Sequence, residues 1–200
     1  MLQQSDEIKI RPLQTIDEYR AAEQLQREVW GLADAELVPD HVLLTAQKNG
    51  GLVLGAFDGE RMVGCLFGFL GLTGEGKLKH CSHITGVAPD YQNRDVGYRL
   101  KLAQREHVLA QGIDLITWTF DPLESRNAYF NFHKLGVVCN TYLCNLYGDM
   151  RDRLNVGLPS DRFQVEWYIA SQRVVRRLRG ESVELTWAAL QAQGVSLLPS

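Results

Sequence analysis

The sequence predicts one α/β domain built on a mixed sheet, and three observations carry that expectation. An Asp-Gly step, Asp58-Gly59, joins two apolar runs and is a strong short-range hairpin signal. After Pro89 the apolar period switches to 3.6 and is followed by a near-continuous apolar strand, Ile113 to Phe120. Strand, helix and strand in that order imply a parallel pair with a crossover helix.

The elements follow in order. Ile8, Ile10 and Leu13 alternate with Lys9 and Arg11 as a short strand does, and Pro12 confines it to an edge or an end. Thr15 with Glu18 forms a capping box; Ala22, Leu25 and Val29 then recur on one helical face up to Trp30, and Gly31 closes the helix. A shorter helix over 40–49 turns Val42, Leu43 and Ala46 inward before Asn49-Gly50-Gly51 breaks the period. Strands Leu52–Phe57, Met62–Leu72 and about His80–Val87 make an antiparallel meander. A helix with Val96, Leu100, Ala103 and Ala110 on one stripe ends at Gly112, and another, Arg126 to Leu135, ends at Gly136 as a helix with a C′ glycine does. Val137–Tyr147 and Phe163–Ala170 are two further strands around a polar loop with Gly157, Pro159 and Asp161; the tail is helical at 172–179 and 183–193.

The composition excludes several classes. The chain has 200 residues, 45% hydrophobic and 22% charged, which is enough for one real core and unlike a disordered or fibrous chain. With 21 basic and 24 acidic residues the net charge is 21 − 24 = −3, so the basic field that dominates nucleic-acid affinity is missing. No window approaches the ~18 consecutive apolar residues of a membrane span, and MLQQSDEIKI shows no secretory pattern, so a cytoplasmic protein is expected. Cys65, Cys81, Cys139 and Cys144 form no CxxC pair and are expected to be free thiols.

The chemistry is concentrated in Val87-Ala88-Pro89-Asp90-Tyr91-Gln92-Asn93-Arg94-Asp95-Val96-Gly97, between a strand and a helix. The unsatisfied N–H groups of the first helical turn, with the helix dipole behind them, make a phosphate seat. A lone turn of this kind would be an ordinary βα connection. Here the sequence resembles the GNAT superfamily of CoA-dependent N-acyltransferases, in which such a turn wraps the CoA pyrophosphate. Gln92, Asn93, Arg94, Val96 and Gly97 fall on that pattern; Asp95 stands where the first glycine is usual, in a residue type that tolerates left-handed geometry but brings an unfavourable charge that Arg94 offsets in part. A second match, Asn127-Ala128-Tyr129-Phe130-Asn131-Phe132-His133-Lys134-Leu135-Gly136-Val137, is similar to the superfamily's helix beside the pantetheine arm. Phe132 occupies the position that in many relatives holds a proton-donating tyrosine, and a phenyl ring cannot donate.

The resemblance covers about residues 8–171, leaving 172–200 as a C-terminal helical extension to a 1–171 GNAT-like domain. It implies a mixed central sheet with an antiparallel meander, a βαβ phosphate-binding unit and flanking helices. It also implies acetyl-CoA or another acyl-CoA as co-substrate, held by Gly86, Val87, Gln92, Asn93, Arg94, Asp95, Val96, Gly97, Tyr98 and Asn127. Trp118 to Leu123 and Gly157 to Phe163 look like segments of a branch in which some relatives acylate free amino acids, including with succinyl-CoA. The acceptor implied is therefore a small amine, an amino acid or a derivative.

For catalysis the reaction needs a base for the ammonium proton and an acid for the leaving thiolate. His83 lies four residues before Val87, so strict alternation puts both on one sheet face; it is a candidate base or a half-buried structural histidine. Either the thiolate leaves unassisted or a tyrosine other than the missing one serves as acid, Tyr129 being the candidate with Tyr142 and Tyr147 as substitutes, or efficient catalysis is lost. Asp121 either orients a substrate ammonium or caps the turn before Pro122, Glu124 is open to the same readings, and Arg162 suits an acceptor carboxylate. His80 and His83 lie on opposite strand faces, so no metal is expected, and His133 complements its helix end. Arg173, Arg176, Arg177 and Arg179 read as a solvated helix face. Trp167, Tyr168 and Trp187 fit either the core or a homodimer contact. The competing class is a CoA-binding module with little or no turnover, motivated by Asp95 and Phe132. Acylation of a protein lysine would need an acidic groove, for which no acidic run is present.

Overall fold

Thr15 caps the first helix as its sequence dictates: its side chain accepts the Glu18 N–H, the Glu18 carboxylate returns to the cap backbone, and α1 (Ile16–Trp30) ends at Gly31 in the left-handed region, φ 64°. The computed structural model describes residues 8–31, 36–148, 159–181, 186–192 and 194. Gly157 and Leu158 of the polar loop, and 183–185 and 193 of the tail helix, lie outside the described residues.

A seven-stranded sheet runs in the order β1-β2-β3-β4-β5-β7-β6. Its strands are β1 (Lys9–Pro12), β2 (Leu52–Asp58), β3 (Arg61–Leu72), β4 (Leu78–Val87), β5 (Leu115–Phe120), β6 (Val138–Leu143) and β7 (Arg162–Tyr168). All neighbours pair antiparallel except β4 and β5, which are parallel. The expected meander and βαβ unit are therefore present, joined by α3 (Val96–Ala110). The sequence placed β4 two residues late and the β5 start two residues early, and the expected strand Val137–Tyr147 is shortened to β6.

The helix expected from Arg126 begins as α4 (Ser125–Ala128) and widens into a π-helical stretch, Tyr129–Leu135, closed by Gly136 at φ 76°. α2 (Asp40–Lys48), α5 (Gln172–Leu178) and α6 (Trp187–Ala192) complete the order. No helix among the described residues is long and apolar enough to cross a membrane.

The two faces of the sheet are covered differently. α1 and α2 bury Tyr19, Ala22, Leu25 and Leu43 against Val53, Cys65 and Phe67. On the other face Val96 and Leu100 of α3 pack on Leu52, Leu54, Val63 and Leu66, and the π-helical stretch and α5 close over β5 and β7 through Leu135, Val165, Trp167 and Val174. Two inward assignments fail. Val42 is 40% exposed, while Leu43 and Ala46 face inward as expected and Leu44 joins them, because the short α2 meets the sheet along a narrow stripe. Ala110 is exposed at the end of α3, where Val108 is the last buried position.

The register slips once in the β3–β4 ladder: Phe67 pairs Ile84 and Gly68 pairs Ser82, leaving His83 as the extra residue of a bulge. This overturns the expectation that His83 and Val87 share a face. His83 lies with Phe67 and Phe69, ring centroids 5.9 and 6.0 Å away, on the α1–α2 side. Val87 packs with Val96 and Leu100 on the α3 side. One inserted residue inverts the alternation.

Candidate functional site

The parallel ladder between β4 and β5 is very short. Only His80↔Ile116 and Cys81↔Thr117 are partners, after which the strands diverge toward their C-terminal ends. The resulting gap has β4 residues from Ser82 onward on one wall and β5 residues from Trp118 onward on the other. Backbone edges that no longer pair are open hydrogen-bonding groups, and such crevices beyond strand C-termini are where open α/β sheets hold ligands.

At the mouth of the gap the turn Gln92–Asp95 leads into α3. Asn93 and Asp95 have φ of 64° and 56°, so aspartate does adopt the left-handed shape that a glycine would supply. No side chain caps α3, and the first bond within the helix is Arg99 N–H to Asp95 O at 2.9 Å. The N–H groups of Val96, Gly97 and Tyr98 therefore point out of the helix end. A Cβ at Gly97 would find only Val87 Cγ2 at 3.7 Å, which leaves that end open to a ligand. Gln92 Nε2 bonds Val87 O at 3.4 Å. Arg61 braces the turn from outside with a two-point contact to Asp90, 2.7 and 3.2 Å, which holds that carboxyl below its usual range.

The Asp95 charge is balanced by Lys134 at 2.7 Å. The expected partner, Arg94, instead lies over the Tyr91 ring at 4.7 Å, because the left-handed turn sends successive side chains apart. Arg126 similarly reaches Asn93 Oδ1 at 2.8 Å, so the turn is tied to the helix that carries Asn127, itself exposed. Between α3, the π-helical stretch and α5 lies a groove of about 390 Å³ lined by Asp95, Tyr98, Tyr129, His133, Lys134 and Arg177, among others. Arg177, read from sequence as part of a solvated face, and Lys134 give this groove two cations beside two tyrosines. Neither was read from the sequence as a groove residue, because only the approach of α5 to Gly136 brings Arg177 there; its Cγ would be 3.3 Å from a Cβ at that glycine.

The two candidate catalytic residues are not brought together. Tyr129 is 56% exposed in the outer groove and stacks on His133 at 4.6 Å, whereas His83 is on the opposite sheet face. The His83 ring is exposed, yet enough protein surrounds it that desolvation lowers its basicity. Gly86 receives α1: a Cβ there would fall 2.7 Å from Trp30 Cη2. Phe132 packs against Phe120, centroids 5.9 Å apart.

Beyond the gap, Asp121 follows the C-terminal end of β5 and Arg162 begins β7. Their side chains approach to 3.8 Å, both largely enclosed, and Arg162 also lies over Tyr147 at 5.6 Å. Asp161 accepts from the Tyr142 hydroxyl at 2.5 Å and from Asn145 N–H at 2.8 Å. Glu124 is exposed at the start of α4 and makes no cap bond. Trp167 is fully buried and donates to Leu135 O at 2.9 Å, which makes it core; Tyr168 and Trp187 are exposed. All four cysteines are free, and no metal-binding cluster occurs among the described residues.

Of a buried polar cluster under the gap the sequence reading names only His80, and not as a buried group. Lys101, Gln104, His80 and Ser82 are all less than a tenth exposed. Burial pushes the Lys101 amine down to about 7, and burial first, then His107 and Lys101, push His80 down to about 4. The available signal was Gln104, which sits four residues from both Leu100 and Val108 on the buried stripe.

No protein-family model matches the sequence, and no curated protein matches it. Solved structures do. The ribosomal-protein-S18-alanine N-acetyltransferase from Escherichia coli matches with a TM-score of 0.61 at 16% identity, covering 82% of this chain and 96% of that one. Aminoglycoside 6'-acetyltransferase type Ii matches at 0.63 and 17%, covering 82% and 99%. The PaiA N-acetyltransferase from Thermoplasma acidophilum, in complex with coenzyme A, matches at 0.58 and 19%, covering 81% and 99%. At these identities the likeness is one of fold.

Proposed function

We propose that this chain, which has the fold of the GNAT acetyltransferases, is an N-acyltransferase that moves an acetyl or related acyl group from acyl-CoA to the amine of a small acceptor. The observation that carries this reading is the alignment of the β4–β5 gap with the uncapped N-terminus of α3. A thioester arm threaded between the parting strands finds unpaired backbone donors for its carbonyl, while its pyrophosphate meets the N–H groups of Val96, Gly97 and Tyr98. The outer groove, with Lys134, Arg177, Tyr98 and Tyr129, suits the nucleotide end of the same molecule.

The acceptor end favours an amino acid or derivative. Asp121 and Arg162 form an ion pair at the open end of the gap, and a zwitterion can exchange partners with it, ammonium to Asp121 and carboxylate to Arg162. Glu124 extends the negative side of that entrance. Direct attack of the free amine on the thioester carbonyl gives the amide and CoA thiol, with His83 as the candidate base.

Following free thiol while the protein is incubated with acyl-CoAs and a panel of amino acids and amines tests this. Release that depends on both substrates supports transfer. Calorimetric CoA binding without release under any condition supports the binding module instead, and absence of CoA binding removes both.

A further inference from the structure

The buried polar cluster beneath the gap has no role in the reaction as written above, although it sits at the vertex where the two strands part. Lys101 Nζ is 2.7 Å from Ser82 Oγ, 3.3 Å from Gln104 Oε1 and 3.9 Å from the centroid of the Trp118 ring. Ser82 and Trp118 are each the first residue past the last paired positions of β4 and β5. The ammonium thus bridges the two strands at the vertex where they part.

What surrounds it is basic or neutral. From β4 come His80 and Ser82, from β5 Trp118, and from its own helix Gln104 and His107. Gln104 Nε2 is 3.3 Å from His80 Nδ1, and the Nε2 atoms of His80 and His107 are buried with no partner. Among the described residues no carboxylate faces the group and Lys101 makes no ion pair.

An enclosed ammonium without a counter-ion is destabilising, and an apolar side chain of similar length would pack there at lower cost. A lysine kept under such conditions is suited to exchanging its proton, since burial makes the neutral amine accessible. Other donors near the vertex are poor. Phe132 has no proton to give, Tyr129 stands in the outer groove, His80 is held neutral, the Tyr142 hydroxyl donates to Asp161, and Tyr147 shares a hydrogen bond with Thr119, which alternation turns to the face opposite Trp118.

We propose that Lys101 is the proton donor to the CoA thiolate that leaves within this gap, an assignment that rests on the acyl-transfer reading. The new N–C bond forms as the C–S bond breaks and its electron pair stays on sulfur. A proton passes from Lys101 Nζ to that sulfur, giving CoA thiol and a neutral amine. His83 takes the proton that the acceptor nitrogen loses as it becomes an amide and returns it to solvent, and the neutral Lys101 amine takes one proton back from solvent, so the cycle closes with no further reactant.

The test is Lys101→Met in the full chain, with acetyl-CoA and the amine found active with the unmodified protein. Calorimetric CoA affinity should stay within about twofold and the melting temperature should hold or rise. The turnover number should fall by roughly a hundredfold or more. The unmodified enzyme should lose activity as pH rises through the Lys101 pKa in the complex, and this alkaline limb should vanish in the variant. Lys101→Gln, which retains polar contacts but titrates nothing, should behave alike and serves if the methionine variant does not fold. An unchanged turnover number or an unchanged alkaline limb in the folded variant overturns the assignment while leaving acyl transfer intact. Absence of thiol release from the unmodified protein overturns both together.

Discussion

Replacing Asp95 with asparagine should tighten CoA binding. The residue has φ 56° at the entrance to α3, a conformation asparagine tolerates as well as aspartate, so the turn keeps its shape. What changes is one negative charge next to the N–H groups that face the pyrophosphate, together with release of Lys134, now 2.7 Å away. Two unit charges at 4 Å interact by about 1 kcal/mol in water and about 4 kcal/mol near a protein surface. Asp95 is 64% exposed at its side chain, which places the effect near the lower figure. One kcal/mol is roughly fivefold in Kd. Loss of the exposed pair should cost no more than about 0.2–1 kcal/mol of stability. Titration calorimetry with CoA at low ionic strength measures the gain, and in ~1 M salt, where the Debye length is about 3 Å, the difference should collapse. Equal or weaker binding by a folded Asp95→Asn at low salt refutes the reasoning, and would mean that the Asp95–Lys134 contact is needed to hold the groove open.

Three further outcomes follow from named contacts. His83→Ala should lower the turnover number by roughly a hundredfold if His83 is the base. Desolvation lowers its pKa below 6.5, so the unmodified enzyme should lose activity as pH falls through that lowered value, and a variant that keeps this acid limb removes His83 from the mechanism. Gly68→Ala would place a Cβ 2.3 Å from His80 Cε1 and 2.8 Å from Cys81 O. That overpacking should cost about 1–3 kcal/mol, at ~2–4 °C of melting temperature per kcal/mol for a chain of this size; an unchanged melting temperature would show that the bulge yields freely. Glu18 is held at about 2, chiefly by the Arg11 side chain, against a reference of 4.5. A depressed carboxylate pKa stabilises the fold above the unfolded value and loses that contribution as pH falls from about 4.5 toward 2. Glu18→Gln should therefore melt lower than the unmodified protein at pH ~7, by up to about 1 kcal/mol through loss of the Arg11 pair, with the two converging in thermal melts at pH ~2.

The sequence by itself determined whatever depends on neighbours along the chain. Thr15 and Glu18 fixed the start of α1, Asp58-Gly59 fixed the hairpin, and the period change after Pro89 fixed the crossover unit, because caps, turns and periodicity are short-range hydrogen-bonding and burial effects. The left-handed turn at Asp95 was legible for the same reason. Tertiary structure alone decided which distant groups meet. A single bulge residue moved His83 to the face opposite Val87, and a bulge is set by how β3 pairs with β4, which alternation along one strand does not encode. Lys134 rather than Arg94 neutralised Asp95, Arg177 reached the outer groove only through the packing of α5, and Asp121 met Arg162 across two strand ends. Lys101 is the sharpest case. By composition it is one of 21 cations in a chain of net charge −3, and its burial under the parting strands depends on α3 crossing β4 and β5 at that register, so its chemistry exists only in the folded chain.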